Sequence, residues 1–541
     1  MSIPGAPTAK EKKYDRQLRL WGAGGQEALE TAHILLINAT AAGSETLKNL
    51  VLPGIGRFTI IDDAAVTDED LGTNFFLDDD SIGLPRAQKA CELLCELNPE
   101  VQGNFINDTI QNVLKSNPEK LKDFTTVIAT GDIPTATLLS LDSILYPLGI
   151  PLFIVKCVGF TMSCRLVISE HPMVETHPAS TVDLRLFNPF PELSALVDEK
   201  ASSMDDKSKM TDHQHGHLPY VLVLLQTLNE WKSTHDGQPP SNYSQKNEFK
   251  SLLRSKMWNA DEENFEEAIA AVLPHFNAPS IPSETRAIFQ DEKCTSLTKE
   301  STSFWIIARA IKEFSEKNGG LLPLPGALPD MKAESKDYIT LQNIYKSKAR
   351  ADLAIVVNIV RSLLAELGRD SEEIAESEVE TFCKHAGYAK LIRGRSLSEE
   401  YEKSPRAQAI SSDLSDSTAL IHYYLGLRAY EAFISDDNNT QHIAPGAEDS
   451  TVDADTEKLN KHVTELLDKL SITHSPELLE GTEKAIGEIV RAGGGELHNI
   501  ASLAGGIVAQ EIIKVITKQY IPMNNTVIFD GISSRTHVYQ L

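Results

Sequence analysis

Residues 35–63 read LLINATAAGSETLKNLVLPGIGRFTIIDD, and the fold turns on this stretch. An apolar strand runs into a tight turn, a helix follows, and a second apolar strand closes on Asp62 and Asp63. That order is the strand–turn–helix–strand half of a dinucleotide- or ATP-binding unit. In such units the turn reads G-x-G-x-x-G. The first glycine permits the bend, the second lets backbone N–H groups approach phosphate, and the last lets the helix pack on the strand. Here the turn reads Asn38-Ala39-Thr40-Ala41-Ala42-Gly43. Only the packing glycine, Gly43, is kept, and side chains at Asn38, Thr40 and Ala41 stand where phosphate oxygens would sit. Asp62 holds the place of the ribose-binding acid. The turn alone leaves two readings open: a strand–turn–helix that never held a ligand, or a nucleotide site that has lost its cradle.

Around this stretch the first 170 residues or so alternate strand and helix. Short β-branched runs at 33–38, 57–62, 126–130, 151–157 and 165–169 predict a mainly parallel sheet covered on both faces. From about 190 to 480 the pattern becomes helical. In 303–314 (SFWIIARAIKEF), Phe304, Ile307, Ala308, Ile311 and Phe314 share one face, and 351–367 shows the same periodicity. Breaker-rich segments at 235–247, 318–330 and 435–458 divide the helices. The last is acidic and poor in apolar residues, which predicts a disordered surface excursion. After 495 one long helix and a hairpin (NTVIFDG, THVYQL) return to the α/β pattern. A helical block therefore interrupts an α/β domain.

A chain of 541 residues with 51 Lys and Arg against 77 Asp and Glu has a net charge of −26. That balance argues against a nucleic-acid surface. The six cysteines, Cys91, Cys95, Cys157, Cys164, Cys294 and Cys383, form no C-x-x-C pair, as suits a reducing compartment. The N-terminal MSIPGAPTAKEKK lacks an apolar core and reads as a loose tail, not a signal peptide. No apolar run is expected to approach the length of a membrane span. Cytoplasm and nucleus are the expected locations.

Longer blocks carry a specific resemblance. YDRQLRLWG (14–22), LKNLVLPGIGRFTIIDD (47–63) and LAGGIVAQEIIKVITKQ (503–519) resemble ubiquitin-like-protein-activating enzymes of the MoeB/ThiF type. THPASTVDLRLFNPFPEL (176–193), DEENFEEAI (261–269), SFWIIARAIKEF and LPDMKAESKDYITLQNIYKSKA (328–349) narrow it to regulatory subunits of heterodimeric neddylation-activating enzymes. The resemblance spans nearly the whole chain and is sparse only in the N-terminal tail, around 235–260 and at 435–475. It implies a Rossmann-like adenylation-type domain from residues 1–168 and 488–541. A mainly helical half of the catalytic-cysteine region, lacking that cysteine, would be inserted at 169–487.

The same resemblance resolves the missing glycines. Active members carry G-x-G-G-x-G at 38–43, an N-x-N-R-Q run matching Asp70 to Asn74, and a phosphate-binding lysine matching Arg86. Their phosphate-handling arginine is here Thr73, and their metal-binding aspartate falls near Asp132, out of step by one. Several parts of one site are altered together, which implies a pseudo-enzyme fold that binds no cofactor of its own. ATP and Mg²⁺ would belong to a catalytic partner subunit, which would adenylate a ubiquitin-like modifier and carry the thioester cysteine.

The family's trans-acting arginine matches Arg16. On a helix over 12–21 it points about 200° away from Tyr14, whose apolar stripe continues through Leu18 and Trp21. The resemblance also places partner contacts at 54–71 (Gly54, Ile61, Asp62, Asp70, Leu71) and 330–343 (Asp330, Met331, Tyr338, Leu341, Asn343). The conjugating enzyme is a further possible partner of such subunits.

Other motifs favour plainer readings. Cys294-Thr295 resembles a thioester site but lacks the preceding proline, and Cys91, Cys95 and Cys157 read as packing residues. His213, His215 and His217 alternate in DHQHGH without an indicated fourth ligand, so no metal site is expected. Three rival functions stay in view: a self-sufficient nucleotide-using enzyme, a stand-alone interaction scaffold, and the SUMO-type equivalent of the same subunit. The long helical insertion weighs against the last.

Overall fold

The computed structural model describes residues 8–175, 182–204, 206–277, 280–403, 405–436, 438–439 and 442–541; part of the 176–193 block lies outside them. The chain divides into two compact units, residues 1–171 with 392–541, and residues 172–391.

The first unit is built on eight strands: β1 (His33–Ile37), β2 (Arg57–Ile61), β3 (Gln102–Ile106), β4 (Thr126–Thr130), β5 (Leu152–Val158), β6 (Thr161–Val167), β7 (Thr526–Asp530) and β8 (Arg535–Tyr539). They run in the order β8-β7-β6-β5-β4-β1-β2-β3. From β5 to β3 the pairing is parallel, with His33 opposite Arg57 and Ile37 opposite Ile61. From β5 to β8 it is antiparallel. Alternate residues of each central strand enter different cores, Ile34 and Leu36 with Phe58 and Ile60, Leu35 and Ile37 with Ile61 and Val127. Both faces are thus covered, as a parallel sheet requires. The edge strand β3, with sequence QGNFI, lies outside the strands predicted. Its side chains are exposed or half-buried, so it lacks the apolar run that marks a buried strand.

The helix His498–Thr517 is long and apolar enough to cross a membrane, against the expectation that no run approaches that length. Its apolar face is used internally. Ile500, Ala501, Ala504, Val508 and Ile512 join the same core as Leu47 and Leu50 of the helix Ala41–Val51. The two backbones approach closely at Gly505, where an added Cβ would stand 2.6 Å from Glu45 Cβ and 2.9 Å from Thr46 N. Small residues there permit what a branched chain would block.

The inserted block divides differently from the expected span of 169–487. Residues 392–487 belong to the first unit, where the helices Ile421–Ile434, Val452–Lys469 and Pro476–Ala492 share a core with Val158 and Ile528. Periodicity shows that a helix buries one face but not against what. Within 435–458 the expected excursion is replaced, among the described residues, by turns and the start of the helix at Val452. Asp455 accepts from Gly446 N at 3.0 Å and from the Thr451 hydroxyl at 2.7 Å, which ties the acidic segment down. At the start of the chain, residues 1–7 lie outside those described. Ala9–Lys13 is helical, capped by Thr8 and Glu11.

The second unit is helical. Tyr220–Thr234, Glu263–His275 and the 32-residue Ser335–Glu366 surround one core around Phe249, Phe265 and Tyr345. Ser303–Lys317 packs on Ser335–Glu366 in another, around Trp305 and Phe314.

Candidate functional site: a cleft lined by the chain's own charges

The turn after β1 keeps the backbone of a glycine-rich loop without its glycines. Asn38 adopts φ +63°, a left-handed conformation that asparagine tolerates better than most residues. Its amide donates to Thr130 O at 2.9 Å, and the Thr130 hydroxyl donates back to Asn38 O at 2.5 Å. Gly43 is the packing glycine the sequence suggests. A Cβ there would stand 2.9 Å from Leu36 Cδ1 and 3.1 Å from Asn38 O.

A cleft of about 690 Å³ lies over this turn. The N-terminus of the helix Ala41–Val51 opens into it, an arrangement suited to an anion. The anion present is a side chain of the same chain. Glu496 accepts from Ala42 N at 3.2 Å, while the Thr40 hydroxyl caps Gly43 N at 3.3 Å. Burial pushes the Glu496 carboxyl up from its ordinary value, against the pull of the Ala42 N–H and the Thr40 hydroxyl.

Asp62, at the end of β2, is fully committed. It accepts from Ala39 N at 2.8 Å, Ala64 N at 2.9 Å and Arg86 Nε at 2.8 Å. Arg86 Nη1 also reaches Asp70 Oδ1 at 2.9 Å. Burial opposes the Arg86 charge, but Asp62 and Asp70 outweigh it and raise its pKa above the ordinary arginine value. Asp132 accepts from Tyr430 at 3.0 Å and pairs with Lys156, whose ammonium lies 4.1 Å from the centre of the Tyr430 ring. Thr73 directs its hydroxyl to Glu69 O, at 3.4 Å within its own helical turn.

Six carboxylates, those of Asp62, Asp63, Glu69, Asp70, Asp132 and Glu496, line the cleft with two cations, Arg86 and Lys156. Both cations are already paired, so a polyphosphate entering here would meet excess negative charge. The cleft has the size for a nucleotide and the wrong charge for one. Sequence reasoning found Asn38, Thr40, Gly43, Asp62 and Arg86, which are close together in the chain. It missed Glu496, Lys156 and Tyr430. The run Gly493-Gly494-Gly495-Glu496 was the available signal, since Gly493 and Gly494 adopt φ +58° and +79° and deliver the glutamate to the helix end.

The other sequence-selected residues fall in several settings. Tyr14 is 2% exposed and hydrogen-bonded to Glu100 and Asn98. It separates Ala9–Lys13 from a second helix, Asp15–Thr31, and Trp21 is buried further along the latter. Arg16 lies on that second helix, exposed, and its side chain forms no hydrogen bond or ion pair with any described residue.

Gly54, Ile61 and Asp62 are buried within the unit, so these three offer no surface to a partner. Gly54 is instead the seat of Tyr14, with φ +88° and the Tyr14 oxygen only 2.6 Å from where a Cβ would stand. Asp70 and Leu71 are half-buried. In the second segment Leu341 is a core residue, Met331 and Tyr338 are half-buried, and Asp330 and Asn343 are exposed.

Cys294 is buried, and burial pushes its thiol up to about 11. That is the setting of a packing cysteine and not of a nucleophile. Cys157 is likewise buried with its thiol pushed up. His215 is buried against Glu262 at 2.7 Å and stacked on Trp258, while His213 and His217 stack on each other. His215 therefore serves a contact apart from the one His213 and His217 share.

A sequence model of the ThiF family matches residues 14–541. Among curated relatives, a Xenopus laevis protein named NEDD8-activating enzyme E1 regulatory subunit is 42% identical, over 98% of this chain and 99% of its own. The chain belongs to the ThiF family, among the NEDD8-activating enzyme E1 regulatory subunits. The Arabidopsis thaliana NEDD8-activating enzyme E1 regulatory subunit AXR1 is 37% identical over 99% of this chain and 97% of its own. The Saccharomyces cerevisiae regulatory subunit is 25% identical over 98% and 100%. The SUMO-type alternative finds no support among these relatives.

Proposed function

We propose that this chain is the non-catalytic half of a heterodimer that adenylates a ubiquitin-like modifier of the NEDD8 type. The observation that carries this reading is the cleft itself, where Glu496 occupies the helix N-terminus and Asp62 engages Arg86. In this reading ATP and Mg²⁺ bind to the catalytic partner, which also carries the thioester cysteine. This chain adds Arg16, whose guanidinium reaches the partner-bound phosphates and stabilises the charge that develops as the modifier's carboxylate attacks. The chain also helps shape the modifier's groove, stabilises the partner, and offers surface to the conjugating enzyme, in cytoplasm and nucleus.

The deciding experiment is modifier-dependent ATP–pyrophosphate exchange, run on the purified chain and on the chain with its catalytic partner. Exchange is expected only in the pair, and ATP should leave the melting temperature of the isolated chain unchanged. Exchange by the chain alone, with contaminating partner excluded, would return the nucleotide site to this subunit and overturn the reading.

A further inference from the structure

The helix Tyr243–Ser255 of the second unit carries a charge pattern unlike the rest of the chain. Asn242 caps it, accepting from Gln245 N at 2.9 Å, and Phe249 and Leu253 are buried on its inner face. At about 100° per residue, Lys246, Lys250 and Arg254 lie in one stripe about 80° wide beside that face, and Tyr243 falls within it. Tyr243 is 70% exposed, Arg254 is exposed, and Lys246 and Lys250 are half-buried. Lys246 donates to the Asn277 side chain at 3.1 Å. Among the described residues none of the three cations is ion-paired with a carboxylate. The helix's own carboxylate, Glu248, lies about 160° round from the centre of the stripe. By contrast Lys200, Lys256 and Lys332 of the same unit pair with carboxylates at 2.9, 2.7 and 3.0 Å.

In a chain of net charge −26 such a run is a local excess of the scarcer sign. Like charges one turn apart destabilise a helix, and no carboxylate among the described residues offsets these. We propose that the stripe docks an acidic segment of a partner protein. Successive cations stand about 6 Å apart along the helix axis. The segment that fits therefore has carboxylates at that spacing, as on a helix with Glu or Asp at every fourth position. Tyr243 and Arg254 are of the residue types that protein interfaces favour, and they add a contact surface that lysines alone would lack. A nucleic acid fits less well. The three cations span only about 12 Å, and a longer polyanion would run onto a surface dominated by carboxylates.

The test uses the full chain and a fluorescein-labelled, alanine-rich helical peptide with glutamate at every fourth position, with binding read by fluorescence anisotropy. The peptide should bind at low ionic strength and weaken as salt rises, and its glutamine counterpart should not bind. The double variant Lys250→Glu/Arg254→Glu should weaken binding by about tenfold or more. Lys299→Glu/Lys317→Glu changes the net charge equally at exposed sites outside the stripe and should leave binding unchanged. Tyr243→Ala should weaken it by about threefold. Should the charge-reversed variant fail to fold, Lys250→Gln/Arg254→Gln removes the two charges more gently and should also weaken binding. No binding to the wild type, undiminished binding to the variant that folds, equal loss in the Lys299/Lys317 control, or binding of the glutamine peptide would each overturn the proposal. So would tighter binding of a single-stranded oligonucleotide of the same charge, which would assign the stripe to nucleic acid. Self-association of the chain that the Lys250/Arg254 variant abolishes would assign it to a second copy and overturn the proposal as well.

Discussion

Arg86 and Arg16 belong to the same unit and carry the same charge, but their surroundings are opposite. Arg86 sits in the cleft between Asp62 and Asp70, with 17% of its side chain exposed. Arg16 lies on the surface with no partner among the described residues. The contrast teaches that a degenerate site is not an empty one. On the proposed function, the cation and helix end that would otherwise hold phosphate are neutralised by the chain itself, which keeps the buried charges from destabilising the fold. On the same proposal Arg16 has the reverse requirement, to stay unpaired until the partner subunit arrives.

The largest effect should come from breaking the internal neutralisation. Asp62→Ala strands Arg86 and leaves the Ala39 and Ala64 N–H groups without their acceptor, at a cost of about 3–5 kcal/mol. Denaturant titration of the unit's transition measures it. The double variant Asp62→Ala/Arg86→Leu should recover part of the loss, because an apolar pair avoids the stranded charge. A loss below about 1 kcal/mol in the single variant would mean that the pair is not what neutralises the cleft.

The exposed member of the comparison should matter for catalysis and hardly at all for folding. Arg16→Ala is expected to leave heterodimerisation and melting unchanged while slowing modifier adenylation by about 10²–10³, the scale of one preorganised electrostatic donor. Pyrophosphate exchange and size-exclusion chromatography check the two halves. Normal exchange by a well-formed mutant heterodimer would remove Arg16 from the mechanism.

Between these lies Gly54, which connects fold to function through Tyr14. With φ +88° and the Tyr14 oxygen in the place of any Cβ, Gly54→Ala should cost about 1–3 kcal/mol through strain and displaced packing. Because Tyr14 anchors the start of the Arg16 helix, exchange should fall as well, by less than in Arg16→Ala. A variant that loses stability and keeps full exchange would show that Tyr14 does not position Arg16.

How far these features were legible follows from chain distance. The frame was readable because the short apolar runs at 33–37 and 57–61 and the Gly43 turn are local patterns that together have one physical meaning. The altered turn, Asp62 and Arg86 were readable for the same reason. Glu496 was not, because it reaches Ala42 from more than 450 positions away, and the glycine run before it marks a turn without naming what the turn delivers it to. Membership of 392–487 in the first unit was hidden likewise, since amphipathic helices reveal a buried face and not the surface that buries it. Gly54, Ile61 and Leu341 were misplaced as interface residues because a short apolar or glycine position in a mixed segment looks the same whether it faces a partner or a core.

The smallest effect should come from Glu496, and its sign is the sharpest check on the comparison. Gln at this position keeps an oxygen to accept from Ala42 N, so Glu496→Gln should change stability by less than about 1 kcal/mol at neutral pH. The wild-type carboxyl titrates above its ordinary value of 4.5 because burial disfavours the charge. Between 4.5 and that raised value the folded chain holds more protons than the unfolded one, so wild-type stability falls as pH rises through the window. The variant has no such group and should lose this slope. Relative to wild type it should therefore gain stability as pH rises from 4.5. Parallel stability–pH curves for the two proteins would show that Glu496 is not buried as an anion at the helix end, and the cleft would then have to be closed to phosphate by Asp62 and Asp70 alone.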